Sequence, residues 1–184
     1  MSILKMVRAG LFAGGIALAP TSAFSQDEAP QAAPLISPQC DTDNHRQFDF
    51  WLGEWDVKPA GEAKSSAVNK ISAAHNGCVV LEEYQAGNFT GMSISFYDEA
   101  RGIWHQTWMA NGGVALYLEG GLNKDGAMEL SDRDLPVSAK SKQINRIIWT
   151  PKPDGTVRQL WEASKDKGES WNLVFDGIYT QREQ

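Results

Sequence analysis

The chain has 184 residues, with 17 lysines and arginines against 23 aspartates and glutamates, so its formal net charge is −6 at pH 7. This acidity argues against a nucleic-acid partner, because binding to phosphates needs a basic surface that displaces counterions. The length predicts a single domain, and no segment after residue 25 is long and apolar enough to predict a membrane-spanning helix.

The N-terminus has the features of a secretory leader. The cations of the first eight residues precede an apolar run over residues 9–19, and small residues stand at Ala23 and Ser25. A run of about eleven residues is too short for a bilayer, which needs roughly twenty. We therefore expect residues 1–25 to be a cleaved signal peptide, and the protein to be exported to the periplasm or the cell exterior.

A linker and a pair of cysteines follow the leader. Residues 26–39 carry three prolines among alanines and acids without periodicity, which predicts a disordered linker before a folded domain at 40–184. The two cysteines, Cys40 and Cys78, form an even pair in a chain expected to be exported, and this favours a disulfide. Closing a loop of about 38 residues would stabilise the fold by about 4 kcal/mol.

The rest of the chain alternates between β-pattern segments and turn signals. The ten predicted strands are Phe50–Lys58, Ser65–Ala74, Cys78–Tyr84, Met92–Tyr97, Ile103–Met109, Val114–Glu119, Ala127–Leu130, Gln143–Thr150, Thr156–Ser164 and Ser170–Tyr179. Asp43–Asp49 predicts one short helical turn before them. Short connections predict sequential antiparallel neighbours, and ten such strands avoid open edges by closing. We predict an all-β, up-and-down antiparallel barrel, with a β-sandwich as the alternative.

The run Phe48–Val57, FDFWLGEWDV, is the most specific motif of the chain. Its Gly53-x-Trp55, placed on the first strand after one helical turn, resembles the G-x-W signature of the lipocalin-like (calycin) barrels. The resemblance implies that Gly53 lets the strand bend at the closed end of the barrel and that Trp55 plugs this end. It also implies a basic residue of the last strand lying across the tryptophan face, for which Arg182 is the candidate.

The segment from about Phe48 to Tyr179 also resembles a bacterial family of exported proteins known only as a domain of unknown function. The matching motifs are Gly77-Cys78, Trp104-His105-Gln106-Thr107-Trp108, Trp149-Thr150-Pro151, Asp154-Gly155, Arg158-Gln159-x-Trp161-Glu162 and Phe175-Asp176-Gly177-x-Tyr179. This resemblance covers nearly all of the predicted domain and implies no activity.

Two predicted strands share a local pattern, because a glutamine and a tryptophan stand two residues apart in each. Alternation places Gln106 and Trp108 on one face of their strand, and Gln159 and Trp161 on one face of theirs. If both faces line the lumen, these four side chains and Trp104 point inward. Alternatively, the amides satisfy one another in a packed core or lie outside as cross-strand pairs.

An arginine and a pair of glutamates extend the candidate site. Arg146 is in phase with Ile144 and Ile148, which predicts that it also faces the lumen, where it would bind an anionic or carbonyl head group. Glu82 and Glu83 end an apolar strand, so one of them faces inward, but the pattern does not say which. The inward glutamate or a ligand would then supply an acceptor for Arg146.

The predicted function is that of an exported barrel that binds a small, largely apolar molecule. An enzyme that uses the lumen is one alternative, for which a perturbed Glu82 or Glu83 close to Arg146 and His105 would be the sign. An envelope interaction protein with a filled barrel is another. Some barrels of this type hold haem, which makes His105 a candidate haem ligand; no motif assigns catalytic or metal-binding residues, and enzymatic activity stays open.

Overall fold

The structure is a computed structural model that describes residues 40–183, so the predicted signal peptide (1–25) and linker (26–39) lie outside the described residues. The all-β prediction is confirmed. The ten strands are β1 (Gly53–Pro59), β2 (Ala67–Ala74), β3 (Val79–Ala86), β4 (Phe89–Asp98), β5 (Ile103–Ala110), β6 (Ala115–Leu122), β7 (Met128–Ser131), β8 (Ile144–Pro151), β9 (Val157–Ser164) and β10 (Asn172–Gln181).

The helical segments are short. The helix α1 (Asp43–Arg46) and a 3-10 turn (Asp49–Trp51) occupy the region where one helical turn was predicted. A second 3-10 turn (His75–Gly77) joins β2 to β3, and the helix α2 (Pro136–Ser141) lies in the longest loop, between β7 and β8. In the part of the chain that the structure describes, no helix has the length and apolarity needed to cross a membrane.

Each strand pairs antiparallel with the next one along the chain, and β10 returns to pair with β1, which closes the barrel. In this closing pair Trp55 stands opposite Gln181, and Val57 stands opposite Tyr179. The closure confirms the up-and-down barrel and rules out the sandwich alternative. It leaves no unpaired strand edge among the ten strands, which removes the usual template for aggregation.

The N-terminal segment covers one end of the barrel, which we call the closed end. Five aromatic residues, here called the plug, fill the lumen there and are almost completely buried: Phe48, Trp51, Trp55, Trp104 and Trp149. The ring of Phe48 contacts those of Trp51, Trp104 and Trp149, and Trp51 also contacts Trp149, in stacked, tilted and edge-on geometries at ring-centroid distances of 4.9–5.7 Å. Trp55 joins them through a hydrogen bond to the backbone of Trp51. Burial of aromatic rings of this size supplies a large share of the apolar stabilisation of the domain.

The predicted disulfide between Cys40 and Cys78 is confirmed, and it fastens the N-terminal segment to the connection between β2 and β3. Arg46 of α1 reinforces the same junction, because its Nη2 donates to the carbonyl oxygens of Cys40 and Gly77 at 2.7 and 2.6 Å. The N-terminal segment, which contributes Phe48 and Trp51 to the plug, is therefore held to the barrel by a covalent bond as well as by packing.

Gly53 and Trp55 lie at the beginning of β1, at the closed end of the barrel. Gly53 has a φ of +140°, a conformation that favours glycine, and Trp55 donates from Nε1 to the carbonyl oxygen of Trp51 at 2.9 Å. The prediction for Arg182 is wrong, because its side chain lies on the outer face with Nε 3.2 Å from Asp56. Gln181 is the residue opposite Trp55, so alternation turns the next residue away from the lumen.

Candidate functional site

A cavity of about 270 Å³ lies in the lumen between the plug and the opposite end of the barrel, which we call the open end. Phe89, Val114 and Val174 stand at its mouth and are each 43–47% exposed. Fourteen residues line the cavity: Glu82, Tyr84, Phe89, Gln106, Trp108, Val114, Leu116, Ile147, Trp149, Gln159, Trp161, Val174, Phe175 and Tyr179. Aromatic and aliphatic side chains form most of its walls, as in small-molecule sites generally.

The structure brings four of the six predicted ligand-binding residues to this cavity: Gln106, Trp108, Gln159 and Trp161. Each Gln-x-Trp pair faces the lumen, because strand alternation places both of its residues on the same face. Their role in ligand binding stays a prediction. Trp104 also points inward, but it belongs to the plug and donates from Nε1 to Gln47 at 3.0 Å.

Arg146 does not face the lumen, so the prediction for this residue is wrong. It lies on the outer face of β8, with Nη2 2.8 Å from Glu162 and its guanidinium carbon 4.0 Å above the ring of Trp171. Ile147 and Trp149 of the same strand point inward. Because β8 is apolar on both faces, its periodicity could not identify the inner one. With Arg146 outside, the cation that was predicted to bind an anionic head group is not in the lumen.

Glu82 is the inward member of the glutamate pair, and Glu83 is exposed on the outer face. The Glu82 carboxylate accepts hydrogen bonds from Asn69 Nδ2 at 2.8 Å and from the Ser93 hydroxyl at 2.6 Å. Burial raises the pKa of Glu82 to about 7, although both hydrogen bonds act in the opposite direction. A carboxyl group with this pKa exchanges its proton near neutral pH.

The hydrogen bonds of Glu82 extend into a network around the lumen. On one side Gln106 Nε2 donates to the hydroxyls of Ser95 and Ser93, at 3.1 and 3.3 Å. On the other side the Tyr179 hydroxyl donates to Gln159 Oε1 and receives a long hydrogen bond from Asn69 Nδ2. We call this network the polar wall: Asn69, Glu82, Ser93, Ser95, Gln106, Gln159 and Tyr179.

The aromatic residues that face the polar wall are held in position by their own partners. Trp161 donates from Nε1 to Asn145 Oδ1 at 3.1 Å, and the buried Asp132 carboxylate fixes Asn145 through two hydrogen bonds of 2.7 Å. Trp108 lies over Gly91 and contacts Tyr84 edge-on at a centroid distance of 6.0 Å. The cavity walls are therefore preorganised, which lowers the entropic cost of binding.

Sequence reasoning missed most of the polar wall. Asn69, Ser93 and Ser95 are short polar residues that a strand pattern normally assigns to the solvent side. In β4 the apolar residues Met92, Ile94 and Phe96 take that side instead, with 36–39% of their surface exposed. The one signal available was this alternation of serines with apolar residues, which fits either orientation of the strand.

His105 lies on the outer face of β5, where Nδ1 is 3.3 Å from Glu119 and Nε2 is 3.0 Å from the Thr107 hydroxyl. It therefore does not reach the lumen, and its placement does not fit haem ligation there. Between residues 40 and 183 no group of three or more histidine, cysteine, aspartate or glutamate side chains is close enough together to hold a metal ion.

No known protein family matches this chain, and no curated protein matches it. The proposed function is therefore inferred from the residues that line the cavity.

Proposed function

We propose that this protein binds one small, mostly apolar molecule in the lumen of its barrel. The observation that carries the proposal is the cavity of about 270 Å³, with preorganised aromatic walls and one polar wall. A barrel of this size either fills with side chains or holds one small ligand, and typical ligand sites span about 300–1,000 Å³. At about 270 Å³ the cavity lies just below this range, which limits the ligand to a small molecule. A lumen that side chains leave partly empty argues against an interaction protein with a filled barrel.

The lining suggests how a ligand would be oriented. Trp108, Trp161 and Phe175 offer apolar surface to the body of the molecule, and Glu82 and Gln159 offer hydrogen bonds to its polar end. The groups of the polar wall are amides, hydroxyls and one carboxyl, so they suit a neutral or positively charged end. Because Arg146 lies outside, we no longer expect an anionic head group.

We also propose that the protein is exported and acts in the periplasm or outside the cell. The leader pattern of residues 1–25 and the disulfide between Cys40 and Cys78 support this location, since disulfides persist in oxidising compartments. We further propose kinship with the calycin barrels, on the basis of Gly53-x-Trp55 on the first strand of a closed antiparallel barrel. The proposed kinship with the exported family of unknown function rests on the sequence motifs alone.

Binding is preferred over catalysis because of where three side chains lie. An enzyme was expected to place Arg146 and His105 close to the inward glutamate. Both side chains lie on the outer face, so Glu82 shares the lumen with neither of them. Its immediate partners are the neutral groups of Asn69 and Ser93.

Titration of the protein with small aromatic alcohols, aromatic amines, aromatic acids, fatty acids and haem tests the proposal. We expect saturable quenching of tryptophan emission at a 1:1 stoichiometry by at least one neutral or positively charged compound, because Trp108 and Trp161 line the cavity. Gln159→Leu should weaken that binding about 5- to 10-fold through a lost hydrogen bond.

Arg146→Met is the matched control, since this residue lies on the outside of the same barrel. It should leave the dissociation constant unchanged. If no compound changes the emission, or if Arg146→Met weakens binding as much as Gln159→Leu does, the lumen is not the binding site and the proposal fails.

A further inference from the structure

The charge inside the cavity is unbalanced. Glu82 contributes a carboxyl group that is 4% exposed, and the described residues that line the cavity include no lysine, arginine or histidine. The other ionisable groups that face Glu82 are the phenols of Tyr84 and Tyr179, which are neutral at physiological pH and whose pKa values burial raises further. A buried carboxylate without a cation is costly, so this site favours either a bound proton or a positively charged guest.

The carboxyl group also has unused acceptor capacity. An ionised carboxylate offers about four lone-pair positions, and Glu82 receives two hydrogen bonds, from Asn69 and Ser93. Gln106 uses its amide N–H groups on Ser95 and Ser93, and its carbonyl oxygen accepts none of the hydrogen bonds made within residues 40–183. A guest that brings several N–H donors would find acceptors here.

The rest of the lining suits a cation as well. Seven of the fourteen lining residues are aromatic, and the face of an aromatic ring is negatively polarised. Cations lying over tryptophan, tyrosine or phenylalanine rings gain about 0.5–2 kcal/mol, and more when they are shielded from water. An ammonium group in this lumen could pair with Glu82 while its neighbouring carbons lie against Trp108 and Trp161.

We propose that the ligand of this barrel is a small amine bound as its ammonium ion, with an aromatic or short aliphatic body. The inference rests on the proposed function and specifies its ligand class. Glu82 is the counterion, the carbonyl oxygen of Gln106 is a second acceptor, and the aromatic walls hold the body. The bound amine replaces the proton that Glu82 otherwise retains.

Calorimetric titration of the purified protein with three compounds of similar size and different charge tests this inference. The probes are 2-phenylethylamine, 2-phenylethanol and phenylacetate. At pH 8 the amine should bind about 10- to 100-fold more tightly than the alcohol, which is the range for a hydrogen bond to a charged partner, and phenylacetate should bind most weakly. Glu82→Gln should reduce amine affinity to that of the alcohol, while the exposed neighbour Glu83→Gln preserves the preference.

A pH series on the unmodified protein gives a second test that does not depend on a variant folding. The preference for the amine should fall by about tenfold per pH unit below 7, as Glu82 takes up its proton. If the alcohol binds and the amine gains nothing at pH 8, the inference is overturned and the proposed function stands. If none of the three probes and no compound of the wider panel binds, the proposed function fails together with it.

Discussion

Gly91 of β4 lies directly beneath the indole of Trp108: a Cβ atom at Gly91 would stand 2.3 Å from Trp108 Cζ2. Real Cβ atoms do not approach other atoms this closely, so the indole would have to move. The absence of a side chain at residue 91 therefore sets how far Trp108 stands back from the lumen, and through it the shape of the cavity.

Gly91→Ala should push Trp108 toward the cavity and destabilise the protein by about 1–3 kcal/mol, as overpacking does. The near-ultraviolet circular dichroism of the tryptophans should change, and ligand binding should weaken. Gly121→Ala is the control, because a Cβ at Gly121 meets no atom within 4 Å. A near-ultraviolet spectrum that is identical to that of the unmodified protein would contradict this account of Trp108.

Glu82 should make stability depend on pH. Its pKa is raised from 4.5 to about 7, so the folded state holds the proton more tightly than the unfolded state. Its contribution to the free energy of unfolding is full below pH 4.5 and is lost as pH rises through 7, by about 3 kcal/mol in total. Urea unfolding at pH 5, 6, 7 and 8 measures the free energy of unfolding of the unmodified protein and of Glu82→Gln. The value for the unmodified protein minus that for the variant should fall as the pH rises, and the contributions of the other carboxyl groups cancel in that difference. A difference between the two proteins that does not vary with pH would refute the burial of an ionisable Glu82.

The disulfide should stabilise the closed end of the barrel. The double substitution of Cys40 and Cys78 by serine should lower the free energy of unfolding by about 2–4 kcal/mol, because it frees a loop of 38 residues in the unfolded chain. Thiol titration of the denatured, unreduced protein should detect no free thiol. Two reactive thiols under these conditions would show that the bond does not form.

Trp55 should be a major contributor to stability. Trp55→Ala removes a fully buried indole and its hydrogen bond to Trp51, at an expected cost of about 3–5 kcal/mol. Arg182→Ala removes an exposed ion pair with Asp56 and should change the free energy of unfolding by at most about 1 kcal/mol. Chemical denaturation measures both, and equal effects would mean that Arg182 supports the plug after all.

The sequence predicted the barrel well because its information on strands is local. Turn signals separated ten strands whose observed ends differ from the predicted ones by a few residues at most, and two cysteines in a chain expected to be exported predicted their bond. In β5 and β9 the alternation placed each Gln-x-Trp pair on one face of its strand but left open whether that face was the lumen or the outside. The structure shows both pairs in the lumen.

The orientation of side chains was harder to predict where both faces of a strand look alike. In β8 isoleucines stand on both faces, so Arg146 was assigned to the lumen although Glu162 and Trp171 hold it outside. In β3 the residues around the two adjacent glutamates are apolar on both faces, so the pattern could not show which glutamate faces inward. The carboxyl of Glu82 acquires its partners only when β2 and β4 pair with β3, and pairing of this kind is set by the register of the whole barrel.

Both ends of the described chain lie at the closed end of the barrel. Cys40 is bonded to Cys78 there, and the backbone N–H of Arg182 donates to the carbonyl oxygen of Glu54 at 2.9 Å. The mouth lined by Phe89 and Val114 is at the opposite end. A dye, resin or electrode coupled through Glu183 would therefore hold the barrel with its mouth toward the solution, an orientation that suits immobilised assays and sensors.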